Sequence, residues 1–169
     1  MVGSSNTEIN RRVKALSDHL LKANLVMVTA ESCTGGGIAQ AITALAGSSR
    51  WFDSGFVTYS NEAKQSMLDV PALFFEPDGP GAVSEETARA MVTGALRRSG
   101  ADLAVAVSGV AGPGGGSVSK PVGTVWIAWQ LGSDVRTRHF LFSGDREAVR
   151  QATIFEALSG MLAYFSPEL

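Results

Sequence analysis

The stretch Val26-Met-Val-Thr-Ala-Glu-Ser-Cys-Thr-Gly-Gly-Gly37 decides the fold. Its apolar, β-branched start belongs to a buried strand over Leu25–Ala30. The run stops at Glu31, Ser32, Cys33 and Thr34. Three glycines follow, and Ile38, Ile42 and Leu45 then recur at helical spacing over Gly37–Ala46. The order is strand, tight turn, helix start. Nucleophile-capable side chains stand at the junction. The first N–H groups of a helix lack intrahelical acceptors, and its dipole favours negative charge. Such a junction eases ionisation of a hydroxyl or thiol and offers donors to an oxyanion. Glycine lets a ligand approach the backbone closely. The same turn also serves purely structural ends, so the rest of the chain has to decide.

Upstream, Ile9, Val13, Leu16 and Leu20 mark one face of a helix over Glu8–Asn24. Downstream, Gly47–Arg50 breaks the helix that follows the turn. A second strand lies in Trp51–Tyr59, then a helix over Ser60–Leu68 and a loop over Pro71–Ala82. Ser84 caps the next helix, Glu85 and Glu86 fill its first turn, and Gly100 ends it. Asp102–Val107 is another buried strand, followed by a second glycine-rich loop from Ser108 to Ser117. Gly123–Leu131 and Val135–Ser143 form a hairpin, and Asp145 caps a last helix to about Phe165. This is α/β: a single-domain three-layer α/β/α sandwich with a mixed β-sheet.

A length of 169 residues suffices for one domain with a substantial core. Residues 1–7 are small and polar and are expected to form a flexible tail before a domain over 8–169. A net charge of -2 argues against a nucleic-acid surface, and no apolar run has transmembrane length. One cysteine permits neither a disulfide nor a cysteine-rich metal site, and a reducing cytoplasm is expected.

Neither glycine-rich loop is a Walker A motif, and neither carries the dinucleotide fingerprint. His19 reads as a surface residue of the first helix and His139 as a packed or edge position in a strand, so a Ser-His-Asp triad is poorly supported. A lysine of lowered pKa can replace histidine as base. Of the four lysines, Lys14 and Lys22 sit on the first helix, and Lys64, near the carboxyl end of a strand, is a better candidate than Lys120. Arg146 opposes the dipole at a helix start, with Arg150 one turn on. The pair suits a phosphate; a salt bridge to Glu or Asp is the competing reading. Cys33 is either an activated thiol or a buried, inert one. The three tryptophans read as core or rim.

Several longer blocks narrow this: Ala30-Glu-Ser-Cys-Thr-Gly-Gly36, Ala46-Gly-Ser-Ser-Arg-Trp-Phe52, Gly55-Phe-Val-Thr-Tyr-Ser-Asn-Glu-Ala-Lys64, Gly81-Ala-Val-Ser-Glu85, Ser108-Gly-Val-Ala-Gly-Pro113, Lys120-Pro-Val-Gly-Thr-Val125 and Phe142-Ser-Gly-Asp-Arg146. In this order they closely resemble the C-terminal domain of the CinA family, across nearly the whole chain after the first helix. Gly114 departs, standing where many relatives have a polar residue. The resemblance implies nicotinamide mononucleotide deamidation: nicotinamide mononucleotide and water become nicotinate mononucleotide and ammonia. Longer relatives carry an N-terminal domain, and this chain resembles the stand-alone form.

The resemblance implies Ser32 as nucleophile and Lys64 as base, acting directly or through Ser49 or Tyr59. Expected substrate contacts are Glu31, Thr34, Gly35, Gly36, Ser108, Gly109, Gly112 and Arg146, with N–H groups of Cys33–Gly36 holding the oxyanion. No metal or redox cofactor enters this chemistry. The expected partner is the small-molecule substrate, with no nucleic acid and no membrane, and a homo-oligomer is expected, a dimer among the candidates. The alternatives are a Cys33-dependent hydrolase and a non-catalytic nucleotide-binding or competence-related partner-binding domain of the same fold.

Overall fold

The computed structural model of the protein describes residues 2–165. Strand β1 (Met27–Glu31) is buried at every position, as befits a strand with neighbours on both sides and helices over both faces. β2 (Phe52–Val57) runs parallel to it on one side and β3 (Leu103–Gly109) parallel on the other. β3 pairs antiparallel with β4 (Thr124–Leu131), and β4 antiparallel with β5 (Asp134–Leu141), the expected hairpin. The five strands lie in the order β2-β1-β3-β4-β5 and form one mixed sheet.

Helices cover both faces. α1 (Val2–Ala23), α2 (Gly37–Thr43) and α5 (Arg146–Leu162) share one face, where Leu16, Ile38 and Leu158 join a core with Met27, Leu103 and Ile127. α4 (Glu85–Ser99) covers the other, with α3 (Asn61–Leu68) packed beside it. The strand residues in this second core are mostly small: Ala30, Ala104, Ala106 and Ala128. Small side chains let a helix lie close to the sheet, and Met91 and Val92 fill the layer. Gly94 brings α4 against the end of α3, since a Cβ there would strike the Leu68 carbonyl oxygen. The caps match the sequence reading. Ser84 Oγ accepts from the Thr87 N–H at 3.2 Å, Gly100 ends α4 with φ 72°, and Asp145 accepts from the Ala148 N–H at 2.9 Å.

Some boundaries differ. The tail read over residues 1–7 is helical from Val2, and Met1 lies outside the described residues. Extending an existing helix adds a hydrogen bond per residue without a new nucleation cost, so weak formers such as Ser and Asn are carried along. α2 ends at Thr43 rather than Ala46, and Ser48–Arg50 and Ala72–Phe75 form short 3-10 turns inside stretches read as irregular. α5 ends at Leu162, and residues 166–169 lie outside the described residues. His19 is half-buried rather than on the surface, stacked on Phe165 with ring centroids 5.2 Å apart.

The chain leaves β1 toward β2 on one side, whereas β3 lies on the other. The carboxyl ends of β1 and β3 therefore flank a point where the strand order changes direction, which is where α/β sheets bind ligands.

Candidate active site

Ser32 is the first residue beyond β1. Its N–H donates to the Val107 carbonyl at 3.1 Å, which ties it to β3. Lys64 comes from the first turn of α3, whose start is set by Ser60: the Ser60 Oγ accepts from the Ala63 N–H at 3.0 Å. The helix thereby points Lys64 inward, and only 1% of it is exposed. Its Nζ donates to Ser32 Oγ at 3.0 Å and to the Thr58 and Tyr59 carbonyls at 2.8 and 3.4 Å. Burial strips hydration from the ammonium and pushes the Lys64 pKa down; the neighbouring Cys33 acts in the opposite sense, and no carboxylate among the described residues does. The fold thus places together, from two distant elements, a hydroxyl and an amine whose neutral form burial makes easier to reach.

A cavity of about 310 Å³ opens over this pair. Ser32, Cys33 and Lys64 line it, with Ser108 and Gly109 from the end of β3 and Gly112 from the loop after it. The Ser108 hydroxyl donates to the Ala82 carbonyl at 2.7 Å, fastening the loop before α4 to the end of β3. Arg146 and Tyr59 also line it. Arg146 donates through Nη1 to the Gly112 carbonyl at 2.8 Å and through Nη2 to the Tyr59 hydroxyl at 2.9 Å. Among the described residues neither Arg146 nor Arg150 has an ion pair, so the salt-bridge reading is not realised. Arg150 does not line the cavity; its Nη2 donates to the Thr34 carbonyl at 2.9 Å.

Other expected site residues lie elsewhere. Glu31 is fully buried beneath the turn. Its carboxylate accepts from the Ile38 and Ala39 N–H groups at 2.7 and 3.0 Å and from the Thr34 hydroxyl at 2.7 Å. The anion expected at the start of α2 is therefore Glu31 itself, and those amides are not available to a ligand. A carboxylate reaching the helix from seven residues upstream falls outside the usual capping spacing, so the sequence does not announce it. Thr34, Gly35 and Gly36 shape the turn and do not line the cavity; Gly36, at φ 95°, holds a conformation that glycine accepts at little cost. Of the oxyanion donors expected in Cys33–Gly36, the Gly35 N–H is spent on the Ser32 carbonyl at 3.0 Å. The Cys33 N–H, at the cavity wall, donates to no backbone carbonyl outside helices and strands among the described residues and lies against its own thiol.

Ser49 is exposed and stands just before β2. Because β1 and β2 are parallel, that end of β2 lies beside Met27, the far end of β1 from Ser32. The length of the strand, roughly 15 Å, separates them. Tyr59 does line the cavity, but its hydroxyl faces Arg146, and only its backbone carbonyl touches Lys64. His139 is exposed on edge strand β5.

Asn61, the first residue of α3, also lines the cavity. Its spacing of three from Lys64 on one helix was the available signal. The carbonyls of Thr58 and Tyr59, which hold Lys64, carry no sequence signature at all.

Cys33 sits at the base of the cavity, yet it is only 6% exposed, and burial is the main cause that pushes its thiol up to about 12. A thiol so protonated at neutral pH is a poor nucleophile. Cys33→Ala is expected to keep turnover within a few-fold and to cost about 1 kcal/mol of stability. A turnover assay and a denaturant melt check this, and slow labelling of native Cys33 by iodoacetamide is the companion result.

A family model described as the CinA C-terminal domain matches residues 9–165. A Pseudomonas putida protein named nicotinamide-nucleotide amidohydrolase PncC is 58% identical, over 87% of this chain and 91% of its own length. A CinA-like protein of Akkermansia muciniphila is 51% identical over 88% of this chain, which spans only 36% of that longer protein. The crystal structure of competence/damage inducible protein CihA from Agrobacterium tumefaciens superposes with a TM-score of 0.90 at 43% identity, covering 94% of this chain and 96% of that one. The sequence blocks that meet at the Ser32–Lys64 cavity are thus part of a match running almost end to end, and the chain belongs to the CinA C-terminal domain family.

Proposed function

We propose that this chain is a nicotinamide-nucleotide amidohydrolase, converting nicotinamide mononucleotide and water to nicotinate mononucleotide and ammonia. The observation that carries the reading is the buried contact of 3.0 Å between Lys64 Nζ and Ser32 Oγ at the base of a ligand-sized cavity. The full-length resemblance to a protein bearing that enzyme's name supplies the substrate.

Neutral Lys64 takes the Ser32 proton directly; the contact is short enough to need no relay. Ser32 Oγ then attacks the carboxamide carbon. The Cys33 N–H is the donor best placed for the oxyanion. On collapse the C–N bond breaks, and protonated Lys64 gives its proton to the leaving nitrogen, which departs as ammonia. Water, deprotonated by the same lysine, hydrolyses the ester, releasing nicotinate mononucleotide and Ser32. Arg146, a cation with no carboxylate partner among the described residues, is assigned to the nucleotide phosphate. No helix among the described residues is long and apolar enough to cross a membrane, and a cytoplasmic setting fits a nucleotide substrate.

The direct test is ammonia release from nicotinamide mononucleotide by the purified protein. Tight nucleotide binding without ammonia would favour a binding domain instead. Arg146→Ala is expected to weaken mononucleotide binding by about 1.5–3 kcal/mol, the range of hydrogen bonds to charged groups. Nicotinamide riboside, which lacks the phosphate, should be much less affected. Equal damage to both would place Arg146 at the reacting centre or in the fold.

A further inference from the structure

We infer that Arg150 is a positioning residue of the reaction, one that orients and polarises the Cys33 N–H, the oxyanion donor, through two successive peptide units. The inference rests on the amidohydrolase reading above and deepens it.

The two peptide units form one chain of hydrogen bonds. Arg150 Nη2 donates to the Thr34 carbonyl at 2.9 Å. That carbonyl shares a peptide unit with the Gly35 N–H, which donates to the Ser32 carbonyl at 3.0 Å. The Ser32 carbonyl in turn shares a peptide unit with the Cys33 N–H. A cation at the head of such a chain makes each N–H along it a stronger donor, and the last one belongs to a residue lining the cavity.

The turn needs an outside brace. Gly35 and Gly36 hold φ 58° and 95°, and glycine offers little resistance to leaving such a conformation. Thr34 is gripped from both sides instead. Its hydroxyl donates to Glu31 at 2.7 Å, and its carbonyl accepts from the Gly37 N–H at 3.0 Å and from Arg150. The guanidinium also lies over Gly35, where a Cβ would stand 3.7 Å from Nη2. The helix that carries Arg150 is anchored by Val149, Thr153 and Ile154, all buried.

This arrangement weakens the fold at one point. Arg150 has no ion pair among the described residues, and its buried Nε has no acceptor there. A buried donor left unpaired is destabilising and calls for an explanation. The unneutralised charge supplies one. Glu31 and Arg150 act on Cys33 in opposite senses, so Arg150 offsets a carboxylate that would repel an oxyanion formed beside it.

The test compares Arg150→Met, which removes the guanidinium, with Arg150→Lys, which restores a cation. Steady-state kinetics with nicotinamide mononucleotide and nicotinamide riboside are read beside amide hydrogen exchange of the unliganded proteins by NMR. Arg150→Met is expected to lower kcat about 10- to 100-fold on both substrates, with KM, the ratio of the two kcat/KM values and the position of the pH profile kept. Arg150→Lys should recover part of the loss. The Gly35 N–H should exchange about tenfold faster in Arg150→Met while the amides of β1 and β3 keep their rates. If Arg150→Met does not fold, Arg150→Gln, polar but uncharged, carries the same expectations. An unchanged kcat in a folded variant would overturn the inference. So would a loss confined to the mononucleotide, which would place Arg150 at the phosphate, or a displaced pH profile, which would place it at Lys64. Faster exchange throughout β1 and β3 would mark a purely structural role and overturn it too. A native protein that binds both compounds but releases no ammonia would defeat the amidohydrolase reading, while the Gly35 exchange rate would still decide whether Arg150 braces the turn.

Discussion

Ser32→Ala is expected to lower kcat for nicotinamide mononucleotide deamidation by about 10³-fold or more, the scale seen when a covalent nucleophile is removed. The fold should be retained. Ser32 is tied to the sheet through its N–H, which alanine keeps, and among the described residues its hydroxyl bonds only Lys64. Mononucleotide binding should persist, since Arg146, the proposed phosphate anchor, bonds Gly112 and Tyr59 and not Ser32. Single-turnover ammonia release, calorimetric binding and a thermal melt together check these points. Near-normal turnover in a folded Ser32→Ala protein would end the nucleophile assignment.

Lys64→Arg is expected to cost as much, for a different reason. A guanidinium stays protonated across the accessible pH range and cannot accept the Ser32 proton. Because arginine is larger and the site is fully buried, Lys64→Met serves as a second variant that keeps the apolar stem without any base. In the native protein, kcat/KM should rise from acid toward alkaline pH and level off above the lowered Lys64 pKa, as the protonated fraction disappears. Retained activity in Lys64→Arg, or a rate that falls across that range, would exclude this base. Stability has a matching sign. Between the lowered folded value and the ordinary lysine value, the unfolded chain binds more protons than the folded one, so stability rises with pH through that window. Below it both states are protonated, and burial of the charge counts fully against the fold. Lys64→Met should flatten the contribution, which pH-dependent urea melts would reveal.

Much of the architecture is legible in local chemistry. The buried run ending at Glu31 is a strand because every residue of it meets a neighbour in the sheet or a helix above it. Ser84, Gly100 and Asp145 set helix ends through contacts within a few residues, which is the range over which sequence patterns speak. Ser32 and Lys64 could be singled out in the same way, one at a strand-to-helix turn and the other near a strand's carboxyl end.

By itself the sequence determined the alternation of elements, the two faces of each buried helix, the caps, and the residue types able to carry chemistry. The tertiary structure decided which of those residues share a cavity. Parallel pairing put Ser49 at the far end of the sheet from Ser32 although both precede or follow neighbouring strands. Long-range packing sent the Glu31 carboxylate under α2, where it satisfies the helix start that a ligand was expected to use. The same packing brought Arg146, from the last helix, to the hydroxyl of Tyr59, 87 residues earlier in the chain. Such contacts depend on strand order and on the direction of each helix. These follow from burying the whole apolar surface at once, so no window of sequence contains them.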